Sequence, residues 1–157
     1  MQTYEIQVRN RNEQPTAVAE ADLDVSEIAA WLERQYGAIA KVLAAQGSVP
    51  SGPPFARYHH REAEGRFHVE AGFPVTTVIE PADGVGPSTL PGGPVVETVH
   101  TGSYDTIEPA YGALACWVHE HDGELAGAAW EVYLTSPGAR PDPGAWRTAI
   151  VQPYRIH

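Results

Sequence analysis

The sequence predicts an α+β fold made of duplicated βαββ units with pseudo-twofold symmetry. Its antiparallel sheet carries two long helices on one face and leaves a cleft at the dyad. Three observations predict it. Each half holds one amphipathic helical stretch followed by two strand-like stretches. The halves can be laid on each other with one shift in register: Tyr36-Gly37 on Tyr111-Gly112, Phe55 on Trp130, Ala56 on Glu131, Tyr58 on Tyr133, Phe67 on Trp146 and Pro74 on Pro153. Between them runs PADGVGPSTLPGGP, rich in Gly and Pro and without periodicity. The chain of 157 residues thus reads as one domain, 1–157. Repeat 1 covers about 1–80, a linker about 81–93, and repeat 2 about 94–157.

The elements follow in order. Tyr4 to Val8 alternates as a short strand, and Thr16 to Asp24 is a second. Asp24-Val25-Ser26-Glu27 has capping-box spacing. Val25, Ile28, Leu32, Tyr36, Ile39 and Leu43 then step by three and four, so a helix runs to a stop at Gly47. Phe55 to His60 and Arg66 to Pro74 read as strands of a hairpin joined by REAEG. Pro94 to His100 is a strand, TGSY a turn, and Asp105 to Glu108 a second capping box. Ile107, Tyr111, Leu114, Ala115 and Val118 mark the second helix, which ends near Gly123; Pro109 falls in its tolerant first turn. WEVYL, a Pro-rich turn and Trp146 to Val151 complete the series.

Composition narrows the function. Twenty acidic against ten basic residues give a net charge of -10. Phosphate backbones need clustered Lys and Arg, so no nucleic-acid partner is expected, and no anionic membrane surface. Such a charge draws cations inward. No stretch approaches the roughly 18 apolar residues of a membrane span, and the first residues have no apolar signal core. Cys116 is alone, which fits a cytoplasmic location.

Glu131 is the residue that asks for an explanation. Glu is depleted in strands, and an unpartnered carboxylate is costly inside a protein. Glu131 and Tyr133 share one face of WEVYL; Trp130, Val132 and Leu134 take the other, purely apolar and expected to be the more buried. Pointing to water is the plain alternative for Glu131. A cleft lined by Tyr58, Tyr133 and one off-axis Glu131, with Ala56 at the matching first-half position, instead suits an organic cation: π-faces attract it and the carboxylate neutralises it. Tyr104, in the turn before the second helix, is a hydrophobic staple or a further wall; Trp146 is a wall, with Phe67 a weaker one. Tyr36 and Tyr111 are cleft or core aromatics, and Trp117 reads as packing.

A metal is not expected. His59-His60 point opposite ways in a strand, His119 and His121 leave a helix on different faces, and no HExxH or Cys/His pattern occurs. His60, His68 and His100 read as surface or hydrogen-bonded side chains. GxSxG is absent, and GVGPSTLPGG lacks the helix start that a phosphate cradle needs. No cofactor is implied.

PFARYHH, GRFHVEAGFPV, LPGGPVVETVHTGSYDTI, AYGALACWV, WEVYL and WRTAIVQP, taken in this order, resemble the GyrI-like small-molecule-binding domain, also called the AraC-type or bacterial transcription activator effector-binding domain. The resemblance implies a duplicated βαββ fold and a cavity at the dyad for drug-like molecules, often lipophilic cations. Its binding glutamate lies in the strand that here reads WEVY, so it implies that role for Glu131. With no room for a helix-turn-helix domain, the chain resembles the stand-alone members: drug binders, a gyrase-inhibiting protein, and hydrolases that open the cyclopropane of DNA-alkylating compounds. Three functions therefore stand. The first is binding of amphipathic, cationic or aromatic molecules for sensing, sequestration or resistance. The second is hydrolysis in the same cavity, with Glu131 activating water and Tyr133 polarising the leaving group. The third is a protein-interaction role such as gyrase inhibition. The partner expected is a small molecule; no partner protein is specified.

Overall fold

The alternating stretches become strands and the two 3.6-period stretches become helices in a computed structural model that describes residues 3–60, 65–135 and 142–156. In chain order the elements are β1 (Gln7–Arg11), β2 (Gln14–Asp24), α1 (Ile28–Ala45), β3 (Phe55–His60), β4 (Arg66–Pro74), β5 (Gly86–Leu90), β6 (Gly93–Thr101), α2 (Glu108–Glu120), β7 (Gly123–Leu125), β8 (Trp130–Tyr133) and β9 (Arg147–Ile156). Single 3-10 turns precede α1 (Val25–Glu27), α2 (Tyr104–Thr106) and β9 (Pro143–Ala145). Most of the REAEG connection and the Pro-rich turn after WEVYL lie outside the described residues.

The chain forms two compact units. The first is Asn12–Pro91; the second is Gly92–His157 together with Met1–Arg11. Each is an antiparallel βαββ arrangement, so the α+β motif occurs twice. In the first unit the strand order is β3-β4-β2-β5, and in the second it is β8-β9-β6-β1, with β7 also on β9. The registers match as well. Ala56 faces Ala71 and Ala71 faces Ala19, as Glu131 faces Ile150 and Ile150 faces Thr98. One row further, Tyr58-Val69-Ala21 corresponds to Tyr133-Thr148-His100.

Each helix covers its own sheet with part of the predicted stripe: Val25 is 61% exposed, while Trp31, Val42 and Ala110, outside it, are buried. Trp31, Ile39, Val42 and Leu43 of α1 pack on Ala19, Val69 and Ala71. Ala110, Leu114 and Val118 of α2 pack on Val96, Ile150 and Tyr154. The first capping box forms: the Glu27 carboxylate accepts the Asp24 N–H at 2.9 Å. Helix α1 stops where predicted, because Gly47 takes φ 71° and closes a Schellman motif, Ser48 N–H to Leu43 C=O at 2.8 Å and Gly47 N–H to Ala44 C=O at 3.1 Å. At α2 the box expected at Asp105 gives way to the 3-10 turn, with Ser103 as its N-cap.

Four expectations need correction. Residues read as a structureless linker contain β5. Its turn is Asp83-Gly84, both at positive φ (51° and 80°), closed by reciprocal Ala82 and Val85 hydrogen bonds of 2.9 Å. That is a type I′ hairpin, and Pro87 is tolerated because β5 is an edge strand. The first strand is Gln7–Arg11 rather than Tyr4 to Val8; Tyr4 and Ile6 pack on the second unit's core instead. The last strand continues to Ile156, since β7 pairs with its end. The apolar face of WEVYL is not the more buried one throughout: Leu134 is 40% exposed, whereas Glu131 is 9% exposed.

Candidate functional site

Strand β8 alternates, so Glu131 and Tyr133 leave it on one side, the side on which β9 presents Ile150 to the core beneath α2. Tyr111 stands at the edge of the α2 stripe. Its hydroxyl donates to Oε2 of Glu131, and the Tyr133 hydroxyl donates to Oε1 at 3.0 Å. Each carboxylate oxygen therefore holds one phenol. No Lys or Arg pairs with Glu131 among the described residues. Burial pushes its carboxyl above the ordinary range; the two phenols and nearby His100 pull it back without cancelling that push.

Aromatic rings continue outward. Tyr104 meets Tyr133 edge-to-face, centroids 5.6 Å apart at 61°, and Trp146 at 5.1 Å. Tyr104 is 39% exposed, and burial together with the Glu131 charge raises its phenol. Backbone bonds hold this wall: Gly102 N–H to Trp146 C=O at 2.8 Å and Leu134 N–H to Arg147 C=O at 3.1 Å.

Beneath it lies a residue that sequence reasoning left among ordinary histidines. His100 is 1% exposed. Its Nε2 donates to Ser103 C=O at 3.0 Å, and its Nδ1 lies 2.9 Å from the Tyr4 hydroxyl. Thr106 Oγ1 lies 3.2 Å from the same Nε2. His100 thus ties the Tyr104 turn to the sheet. The HTGSYDT spacing carried that signal, because a His three residues before a Ser can reach its carbonyl around a turn.

Of the residues singled out in the sequence, Glu131, Tyr133, Tyr111, Tyr104 and Trp146 come together in the second unit. Tyr58, Tyr36, Phe67 and Ala56 belong to the first. There Tyr36 donates to Phe55 C=O at 2.7 Å and meets Phe73 edge-on at 5.6 Å. Tyr58 packs on Phe67 at 6.2 Å, and Ala56 is fully buried. Trp117 is packing, as read: it stacks on His121 at 3.8 Å and meets Tyr154 at 5.5 Å. His68 is hydrogen-bonded to Asp22 at 2.9 Å and Glu20 at 3.0 Å. No metal-ligand cluster occurs among the described residues. An open trough of about 620 Å³ along Val18, Glu20 and residues 81–88 contains no aromatic ring and none of the predicted site residues. No described helix is long and apolar enough to cross a membrane.

Glu131 is also expected to affect stability. Because folding raises its pKa, its contribution is most favourable at acid pH and declines as pH rises through the raised value. Glu131→Gln is therefore expected to raise Tm at pH 8, by about 2–4 °C if the relief is near 1 kcal/mol, and not at pH 4. Thermal melts across that range check it.

A twice-built βαββ chain of this kind is a duplicated α+β domain. It belongs to the GyrI-like small molecule binding domain family, whose profile matches residues 4–155. The fold is similar to the C-terminal domain of EcmrR (TM-score 0.83, 18% identity, 99% of this chain and 100% of that one). In the EcmrR–DNA complex the match has a TM-score of 0.86 at 20% identity over 98% of this chain, which spans 58% of that longer chain. A third similar structure is SAV2435 bound to tetraphenylphosphonium (TM-score 0.66, 13% identity, 96% and 94% covered), and a fourth is a hydrolase from Listeria innocua (0.72, 11%, 96% and 92%). No curated protein matches the chain by sequence.

Proposed function

We propose that the chain binds amphipathic organic molecules, cationic or aromatic, at the Glu131 cluster, as a protein of sensing, sequestration or resistance. One observation carries the reading: a buried carboxylate whose hydrogen-bond partners are two phenols and whose surroundings are aromatic. A buried anion without a cation is a vacancy in charge, and a lipophilic cation fills it while its apolar body meets the rings. The phosphonium complex of SAV2435 supports the choice of probe.

The test compares a lipophilic phosphonium with a neutral aromatic of similar size, titrated between pH 5 and pH 8. Cation affinity should rise with pH as Glu131 loses its proton, with proton release on binding, while the neutral compound stays level. Equal, pH-independent affinities would sink the charge-anchor reading.

A second reading has one observation in its favour. A carboxyl held above its ordinary range with a phenol on each oxygen is equipped for general acid–base work on water or a leaving group. Incubation with an activated ester and with a strained cyclopropane, read by mass spectrometry, tests it. No turnover above buffer in either case counts against hydrolysis.

A further inference from the structure

The matched registers set four polar residues of the second unit against four apolar ones of the first: Glu131 for Ala56, Thr98 for Ala19, His100 for Ala21 and Thr148 for Val69. Three of the four use their polar atoms within the chain. Glu131 holds two phenols. Thr98 donates to Glu5 C=O at 2.9 Å. His100 has a partner on each nitrogen. Thr148 differs: it is fully buried, and its hydroxyl has no hydrogen-bond partner among the described residues. Thr16 shares that condition, but it lies across from Pro74 and Ser88 in the first unit.

A buried hydroxyl without a partner carries a desolvation cost that Val would avoid at the same volume, and Val is what stands at the matching place. Its position gives the hydroxyl a use. Thr148 pairs directly with Tyr133 on one side and His100 on the other, so it shares their face. It is also the diagonal neighbour of Glu131, whose direct partner is Ile150. Diagonal neighbours lie about 7–8 Å apart at the backbone; one nitrogen with two hydrogen bonds of about 2.9 Å joins acceptors about 5 Å apart, and the reach of the longer Glu131 side chain makes up the difference. Tyr104, 39% exposed and edge-on to Tyr133, is the outermost ring of the cluster and the side on which the proposed ligand would enter.

Resting on the cation-site reading above, we propose that Thr148 is a specificity-determining residue, and that the ligand it selects is an organic amine whose ammonium N–H groups bridge the Glu131 carboxylate and the Thr148 hydroxyl. A quaternary onium ion meets the charge and the rings but leaves Thr148 unused.

The test uses two probes on the full chain: an aromatic primary alkylamine and its N-trimethylated counterpart. Thr148→Val is isosteric. It is expected to weaken the amine by about fivefold, the worth of one net hydrogen bond, and to leave the quaternary ion unchanged, which also certifies the fold. Unchanged amine affinity, or equal weakening of both probes, overturns the proposal. Failure of the underlying reading looks different: Glu131→Gln would then leave both affinities untouched, and that result overturns both.

Discussion

Glu131→Gln is expected to lower affinity for a lipophilic cation by about 10–100-fold, the worth of roughly 1.5–3 kcal/mol for a hydrogen-bonded or paired charge. The substitution keeps the shape of the side chain. Its amide can still accept a phenol, so Tyr111 and Tyr133 are not both stranded. What disappears is the anion, in a setting where no Lys or Arg pairs with it among the described residues. A neutral aromatic ligand should bind within about twofold of wild type, since ring contacts are unaltered. Glu70→Gln is the control. Glu70 is also a buried carboxylate, but it already accepts the Ser88 hydroxyl at 2.9 Å and lies 3.8 Å from His59. Removing it should leave cation affinity unchanged. Titration calorimetry on the three proteins decides the matter; equal losses in both variants would mean that overall negative charge, not Glu131, draws the ligand.

Gly72→Ala should be the most damaging small substitution in the first unit. Gly72 lies in β4 between Val18 of β2 and Phe55 of β3. A Cβ there would stand 2.2 Å from the Ala17 carbonyl oxygen and 2.7 Å from Val18 Cγ1. The first obstacle is backbone in the middle of a sheet, which cannot swing aside as a side-chain tip can. Overpacking of this kind costs about 2–4 kcal/mol, or about 5–12 °C in Tm. Gly37→Ala is the contrast, because its Cβ meets nothing within 4 Å and it lies inside α1. It should gain up to about 1 kcal/mol through helix propensity. Thermal melts of the two proteins test both signs.

Much of this architecture was legible because its elements carry their own periodicity. Tyr36, Ile39 and Leu43 repeat at helical spacing whatever surrounds them, and Gly47 ends that helix by a local motif. The overlay of Tyr58 on Tyr133 and Pro74 on Pro153 survives as shared register. Strand β5 was hidden because the stretch around it is rich in Gly and Pro, although Asp83-Gly84 is itself a hairpin signature. Strand β1 was displaced because all of its residues are exposed, so no alternation of burial marks it; pairing with β6 alone defines it. In the site, Glu131 and Tyr133 could be read as strand neighbours. The approach of Tyr111, and the use of His100 to hold the Tyr104 turn, depend on how α2 and the turn pack, and a strand pattern holds no record of that.

The pairing of β1 with β6 has a consequence for the order in which the chain acquires structure. During synthesis β1 emerges before Asn12–Pro91, yet its partner strand begins only at Gly93. All the strands of the first unit have been made by then. Strand β1 must wait, extended and unpaired, through that whole interval, and its run of charged and polar residues, QVRNR, keeps a waiting edge soluble. The second unit is therefore the last to be completed, and Tyr4 reaches His100 only when β1 docks. The aromatic-acid cluster is therefore completed only when the segment before Asn12 meets the segment after Pro91.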